Sequence, residues 1–311
     1  MTLHNRRQFL TGAVATVSGL ITARESLAKV PEKALQSLPE KPAAKFDLMT
    51  MVKKYRKIDS HAHVYFNSPD GDAVIDIADR LFIETLSISR PMVPGGKGDP
   101  KEFIEANNLV LRCYKKHPTR FLPQMTLNPQ FQKESLDEIN RCVDAGMVGL
   151  KLYNHVKMND PLFYPVIEKF IDLKMVILMH MGIGKARINY DSREPANVSI
   201  PGDIVEAAKR YPEATFQLAH LGGGIDWEDA CKAVQDVPNI YVDLSGSNNE
   251  ARIVDCAMKY VGEDRLLFAC DNSFYQGVGH ILAAQLTDVQ RKKIFFDNYN
   301  NLLKKIGRNV N

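Results

Sequence analysis

Cysteine is scarce in this chain, with five among 311 residues and no CxxC pair. That excludes a thiolate zinc module and a scaffold built on disulfides. An excess of one charge is also missing: the formal net charge is +3, with no Lys/Arg cluster and no basic–aromatic stripe, so nothing marks a nucleic-acid partner. No uncharged apolar run reaches the roughly 18 residues of a spanning helix, which excludes a multi-span membrane protein and a stable span in the mature chain. Tryptophan occurs once, at Trp227, where it either lines a pocket or anchors the following helix. The remaining balance, 45% hydrophobic and 25% charged, is that of an ordered globular chain. Its length accommodates two domains or one α/β barrel of about 250 residues.

The first 28 residues read as an address: NRRQFL, then the short apolar stretch TGAVATVSGLITA, then SLA before Lys29. A basic stretch, an apolar stretch and small residues before a cut site make a secretory signal. Arg6 and Arg7, followed by Gln8, Phe9 and Leu10, resemble the twin-arginine export signal. The resemblance implies passage of a folded protein through the twin-arginine machinery, and a periplasmic or secreted location. Cleavage is expected after Ala28, with Ala23 as the alternative, leaving a near-neutral mature chain. Residues 29–55 read as a tether with a short helix at its end. In an oxidising compartment an odd cysteine count leaves at least one thiol without an intramolecular partner, and Cys113–Cys142, on consecutive helices, is the bridge to test.

From Arg56 onward, short apolar runs alternate with amphipathic stretches. The runs are KIDSHAHV (57–64), LFIETLSIS (81–89), RFLPQMTLN (120–128), MVGLKLYN (147–154), MVILMHMG (175–182), TFQLAHLGG (215–223), NIYVDLSG (239–246) and RLLFACDNS (265–273). Helical patterns lie between them, such as PKEFIEANNLVLRCYKKH and KESLDEINRCVDAG, the second closed by Gly146. Near-continuous apolar strands separated by helices indicate a parallel sheet covered on its outer face. Eight such units over residues 56–311 predict a single (β/α)8 TIM barrel. The alternative, a doubly wound sheet, lacks its Gly-rich fingerprint after the first strand.

A barrel carries its reactive groups at the C-terminal ends of its strands. His61, His63, Lys151, His180, His220 and Asp271 all fall at or near such ends. Taken singly, each has an ordinary account: a hydrogen-bonded core histidine, a snorkelling lysine, a turn aspartate. Polar groups buried in apolar strands cost several kcal/mol unless satisfied, and six together call for a common cause, most simply a metal ion. His61 and His63 are two apart on one strand, so their side chains share a face and can reach one ion at about 2.0–2.1 Å each. Asp59 shares that face and is placed to orient a ligand.

These motifs resemble the amidohydrolase superfamily, and within it the amidohydrolase-related branch of aminocarboxymuconate-semialdehyde and resorcylate decarboxylases. KIDSHAHV, GLKLYN, LMHMG, LAHLGGG, DRLLFACDNS and the closing IFFDNYNNLLK carry the resemblance across about residues 56–305. It implies that His61, His63, His180 and Asp271 hold a divalent metal, zinc first among the candidates. It also implies that His220 either binds a second ion or polarises the substrate. Lys151 stands where two-metal members carry a bridging carboxylated lysine, so one or two ions remain open. The leading expectation is hydrolysis of a small amide, lactone or ester by metal-activated water, with Asp271 and His220 as catalytic residues. The first alternative is decarboxylation of a small aromatic or enoic acid, for which Arg187 and Arg193 offer cationic anchors. The second is an exported barrel that binds without turnover. Tyr275, after the eighth strand, is expected near the pocket mouth. The substrate is a small molecule in every enzymatic reading, and assembly into a homo-oligomer is left open.

Overall fold

The apolar runs become eight strands: β1 (Ile58–His63), β2 (Thr85–Ser89), β3 (Phe121–Met125), β4 (Gly149–Leu152), β5 (Val176–Met179), β6 (Thr215–Leu218), β7 (Ile240–Asp243) and β8 (Leu266–Leu267). In this computed structural model, the residues described are 47–92, 97–181, 198–222, 227–246 and 252–311. The twin-arginine motif and the first part of the tether lie outside them. Each strand pairs in parallel with the next in chain order. The two ends of the sheet meet where the Ser60 N–H donates to the Phe268 carbonyl at 3.0 Å and the Asp271 N–H to the His61 carbonyl at 2.7 Å. The fold is therefore the expected (β/α)8 barrel.

Two strands are shorter than the sequence suggests, and both end at site residues. The run at 265–273 pairs only over Leu266–Leu267, because the Phe268 N–H turns to the Ile294 carbonyl at 2.9 Å. The run at 215–223 stops at Leu218 and bends through Ala219–Gly222, where His220 and Leu221 take φ values of 58° and 51°.

The helices follow from local signals. In α1 (Leu48–Lys54) Val52 is buried, and this is the short helix expected at the end of residues 29–55. It belongs to the compact unit Leu48–Asn311. After α2 (Asp72–Arg80), α3 (Pro100–Lys116) begins with Pro100 and with Asp99 accepting the Glu102 N–H at 3.0 Å, and it buries Phe103, Ala106, Leu109, Val110 and Cys113 at helical spacing. α4 (Gln132–Asp144) ends as expected: Gly146 takes φ 95°, and the Met147 N–H reaches back to the Cys142 carbonyl at 2.9 Å. The outer layer continues through α5 (Tyr164–Leu173), α6 (Pro201–Arg210), α7 (Trp227–Val234), α8 (Ile253–Tyr260), α9 (Phe274–Ala283), α10 (Asp288–Lys292) and α11 (Asn298–Lys304). Trp227, at the start of α7, packs against the core as an anchoring residue does.

The Cys113–Cys142 bridge does not form. Cys113 Sγ is 3.4 Å from the Pro69 carbonyl, Cys142 Sγ is 3.4 Å from Glu138, and all five cysteines are free. Among the described residues, no helix is long and apolar enough to cross a membrane.

Candidate metal centre

At the C-terminal ends of the strands the polar residues converge as the barrel geometry requires. From β1, His61 and His63 face the Asp271 carboxylate, with Nε2 to Oδ1 distances of 3.6 and 2.9 Å. His180 directly follows β5, its N–H held by the Leu152 carbonyl at 3.0 Å. Its Nδ1 lies 3.2 Å from Nε2 of His220. Nδ1 of His220 lies 3.7 Å from Asp271 Oδ2. The four imidazoles and Asp271 thus form one cluster.

A hydrogen-bond chain assigns the ring protons. The Ser245 hydroxyl donates to Asp243 Oδ1 at 2.6 Å, since an ionised carboxylate only accepts. It therefore accepts from His220 Nδ1 at 2.9 Å, which leaves His220 Nε2 as the acceptor for the His180 Nδ1–H. His180 is left with its Nε2 lone pair free of this chain. His61 donates Nδ1–H to Asp243 Oδ2 at 3.0 Å, so its own Nε2 carries a lone pair; that atom is buried and has no hydrogen-bond partner. His63 is held at Nδ1 by the Ser89 hydroxyl at 3.0 Å. A network that fixes one ring nitrogen and bares the other is how a protein presents imidazole to a metal.

Electrostatics agree. Burial, with Lys151 close by, pushes His61 down to about 3. Burial also lowers His180 well below its ordinary value and lowers His220. Burial alone would raise the Asp271 carboxyl, but the imidazoles of His61, His220 and His63 hold it well below the usual carboxylate range. Neutral imidazoles beside an ionised carboxylate are a donor set for a cation. Among the described residues, two groups with metal-ligating spacing result, His61/His63/Asp271 and His61/His220/Asp243. The second is spent internally, because Asp243 already accepts from His61, Gln217, Ser245 and the His220 backbone. The first contains the orphaned His61 lone pair and fits a metal.

Lys151, on β4, is fully buried. Its Nζ has no hydrogen-bond partner and lies 5.0 Å from the centre of the Tyr153 ring. Burial lowers it to about 8.

Asp59 does not orient a ligand ring. Its carboxylate accepts the backbone N–H groups of His61 and Cys270, each at 3.0 Å, tying β1 to the chain after β8. The ring is oriented instead by Asp243, at the end of β7, which sequence reasoning missed; its signal was a lone acid in the apolar run YVDLSG. Ser245 and Tyr153, whose hydroxyl is 3.3 Å from His63 Nε2, were missed as well. So was Asn272, which accepts the His63 N–H at 2.8 Å and donates to its carbonyl at 3.0 Å. Gly246 (φ 88°) leaves room for His220, since a Cβ there would stand 2.9 Å from its Nδ1.

Tyr275 is exposed and lines a cavity of about 540 Å³ with Tyr65, Asn272 and Phe274, beside the cluster. Arg187 and Arg193 lie outside the described residues.

The family model for amidohydrolase matches residues 58–298. The chain belongs to the amidohydrolase family. This amidohydrolase-family chain is 24% identical over 288 residues to a 2-amino-3-carboxymuconate-6-semialdehyde decarboxylase of Dictyostelium discoideum, covering 81% of this chain and 78% of the relative. Among solved structures it resembles a 2,6-dihydroxybenzoate decarboxylase from Rhizobium, with TM-score 0.62, 18% identity, and 81% and 99% of the two chains covered. It also resembles a dihydroxybenzoic acid decarboxylase from a Polaromonas species, solved with bound manganese and the inhibitor 2-nitroresorcinol, with TM-score 0.62, 19% identity, and 82% and 98% covered. These relatives overturn the expectation of an amide, lactone or ester hydrolase: they are decarboxylases, and they match the alternative reaction. The family match also supports an enzyme over a barrel that only binds.

Proposed function

We propose that this protein is a metal-dependent decarboxylase of a small aromatic or enoic carboxylic acid. The observation that carries the reading is the buried, unpartnered Nε2 of His61 facing Asp271 and His63, within a set of neutral imidazoles. Its similarity to decarboxylases in sequence and fold supports the choice of reaction. His61, His63, His180 and Asp271 would hold a single divalent ion, zinc or manganese, which supplies a Lewis acid to bind and polarise the acid substrate. Lys151 does not bridge ions in this reading. Its Nζ adds positive potential beside the carboxylates.

In decarboxylation the bond between carbon and carboxylate breaks, carbon dioxide leaves, and the vacated carbon takes a proton. His220 is the group placed to relay that proton: its Nε2, an acceptor in the resting site, would take a proton from water and give it to the carbon. Its backbone N–H is fixed on Asp243 at 2.9 Å, its ring is fixed on Ser245, and its Nε2 lone pair points into the cluster. The left-handed backbone at His220 and Leu221 is held by these contacts, as strained conformations at reactive sites are.

The test uses the metal-loaded protein with 2,6-dihydroxybenzoate and related phenolic and enoic acids, following carbon dioxide release. His220→Asn should keep its metal and lose about 10²–10⁴ in rate, and Lys151→Ala should leave metal content per chain at one. Two ions in the wild type, falling in the lysine variant, overturn the single-ion site. No release from any acid overturns the reaction.

We also propose export through the twin-arginine machinery to the periplasm, on the strength of Arg6–Arg7 and the apolar stretch after them. Amino-terminal sequencing of the periplasmic form should begin at Lys29, and replacing both arginines by lysine should retain the protein in the cytoplasm.

A further inference from the structure

Arg90 follows the last residue of β2, one position after the Ser89 hydroxyl that holds His63. Its guanidinium sits 5.3 Å from the centre of the Tyr65 ring and 4.9 Å from that of Phe66. Tyr65 in turn packs edge-on to His63, with ring centres 6.4 Å apart, and also lines the 540 Å³ cavity. Tyr65 thus links the Arg90 cation to the cluster and to the wall of the cavity.

What sets Arg90 apart is that no described residue hydrogen-bonds to its guanidinium. Its Nε is buried without a hydrogen-bond partner, and Tyr153, Tyr65 and Glu102 act on it only through space, with no ion pair or hydrogen bond. Other arginines among the described residues are satisfied. Arg265 donates to the carbonyls of Val234, Val237, Ile240 and Gln235. Arg120 donates to Glu84 and Ile83 and pairs with Asp79. Arg141 holds Glu138 through two nitrogens. A guanidinium presents its donors in a planar fork that matches a carboxylate, and a buried donor left unmet, as Nε is here, costs stability.

We infer that Arg90 binds a carboxylate group of the substrate, held in place by the faces of Tyr65 and Phe66. This deepens the decarboxylase reading and rests on it for the substrate class. It assigns the anchoring role, expected of Arg187 or Arg193, to a residue at the end of β2.

The experiment measures binding of 2,6-dihydroxybenzoate, cis,cis-muconate and the neutral 2,6-dihydroxybenzamide to the metal-loaded full chain by calorimetry. Wild type, Arg90→Gln and Arg90→Lys are compared, with metal content and melting temperature recorded for each. Arg90→Gln should weaken the acid that binds best at least tenfold and change the amide less than twofold. Arg90→Lys, which keeps charge but not the fork, should fall between, and it carries the test alone if the glutamine variant fails to fold. In turnover the loss should appear in KM more than in kcat. Equal weakening of acid and amide would mean that Arg90 only packs on the rings and would overturn the inference. So would unchanged acid binding, or a wild type that binds neither acid. Carbon dioxide release with KM unchanged in Arg90→Gln would sink this inference and leave the decarboxylase reading standing. Arg90-dependent acid binding without any release would do the reverse.

Discussion

Asp243 shows how much one side chain organises. Its two oxygens accept from the His61 and Gln217 side chains, from the backbone of His220 and Ser245, and from the Ser245 hydroxyl. Burial would raise its carboxyl, but its interactions with His61 and His220 and the hydrogen bond from Ser245 hold it below the usual range, so it stays an anion and an acceptor. Asparagine keeps the shape but offers a donor where an acceptor is needed, which releases the His61 ring and frees the Ser245 hydroxyl to turn. Asp243→Asn should therefore weaken metal binding about 10–100-fold, read by competition with a chelator. Unchanged affinity would show that the His61 ring is held by packing alone.

At the scale of the element, the junction of α1 and β1 buries a lysine at the end of the barrel away from the cluster. Lys57 is fully covered, and its ammonium donates to the carbonyls of Val52 and Tyr55 at the end of α1, near the Phe295 ring. Burial lowers it from 10.5 to about 8. Between those values the unfolded chain binds the extra proton, so this group makes stability rise with pH across that window; below it the cost of burying the charge is paid in full. Urea midpoints at pH 7.5 and 9.5 should therefore rise for the wild type relative to Lys57→Met. An equal pH response in both would place the titration elsewhere.

At the scale of the whole molecule, the site depends on barrel closure, because three of its four proposed ligands, His61, His63 and Asp271, come from β1 and from the chain after β8. Asn272 bridges the two with its paired hydrogen bonds to His63, and Asp59 does so beneath it. Both Asp271 and Asn272 take positive φ, 47° and 61°, where the short strand turns away. Asn272→Ala should cost about 1–3 kcal/mol of stability for the unmet backbone groups and lower metal affinity at the same time. A loss of stability with metal affinity intact would uncouple closure from the site.

Much of this was legible along the chain. The alternation of apolar runs and helical stretches sets the barrel, because every strand is covered on both faces and every connection must cross over. The period of two puts His61 and His63 on one face, and the position of polar residues at run ends marks Lys151, His180, His220 and Asp271. The helix end at Gly146 was also readable, since a cap acts over about four residues. Only the tertiary structure decided the rest, because its causes lie far apart in sequence. That Asp243 rather than Asp59 orients His61 depends on β7 lying across the barrel mouth, 182 residues away. That Arg90 Nε has no hydrogen-bond partner depends on every described group around it. Local sequence sets which residues share a face; which faces meet, and which donors are left unpaired there, is set by closing the sheet.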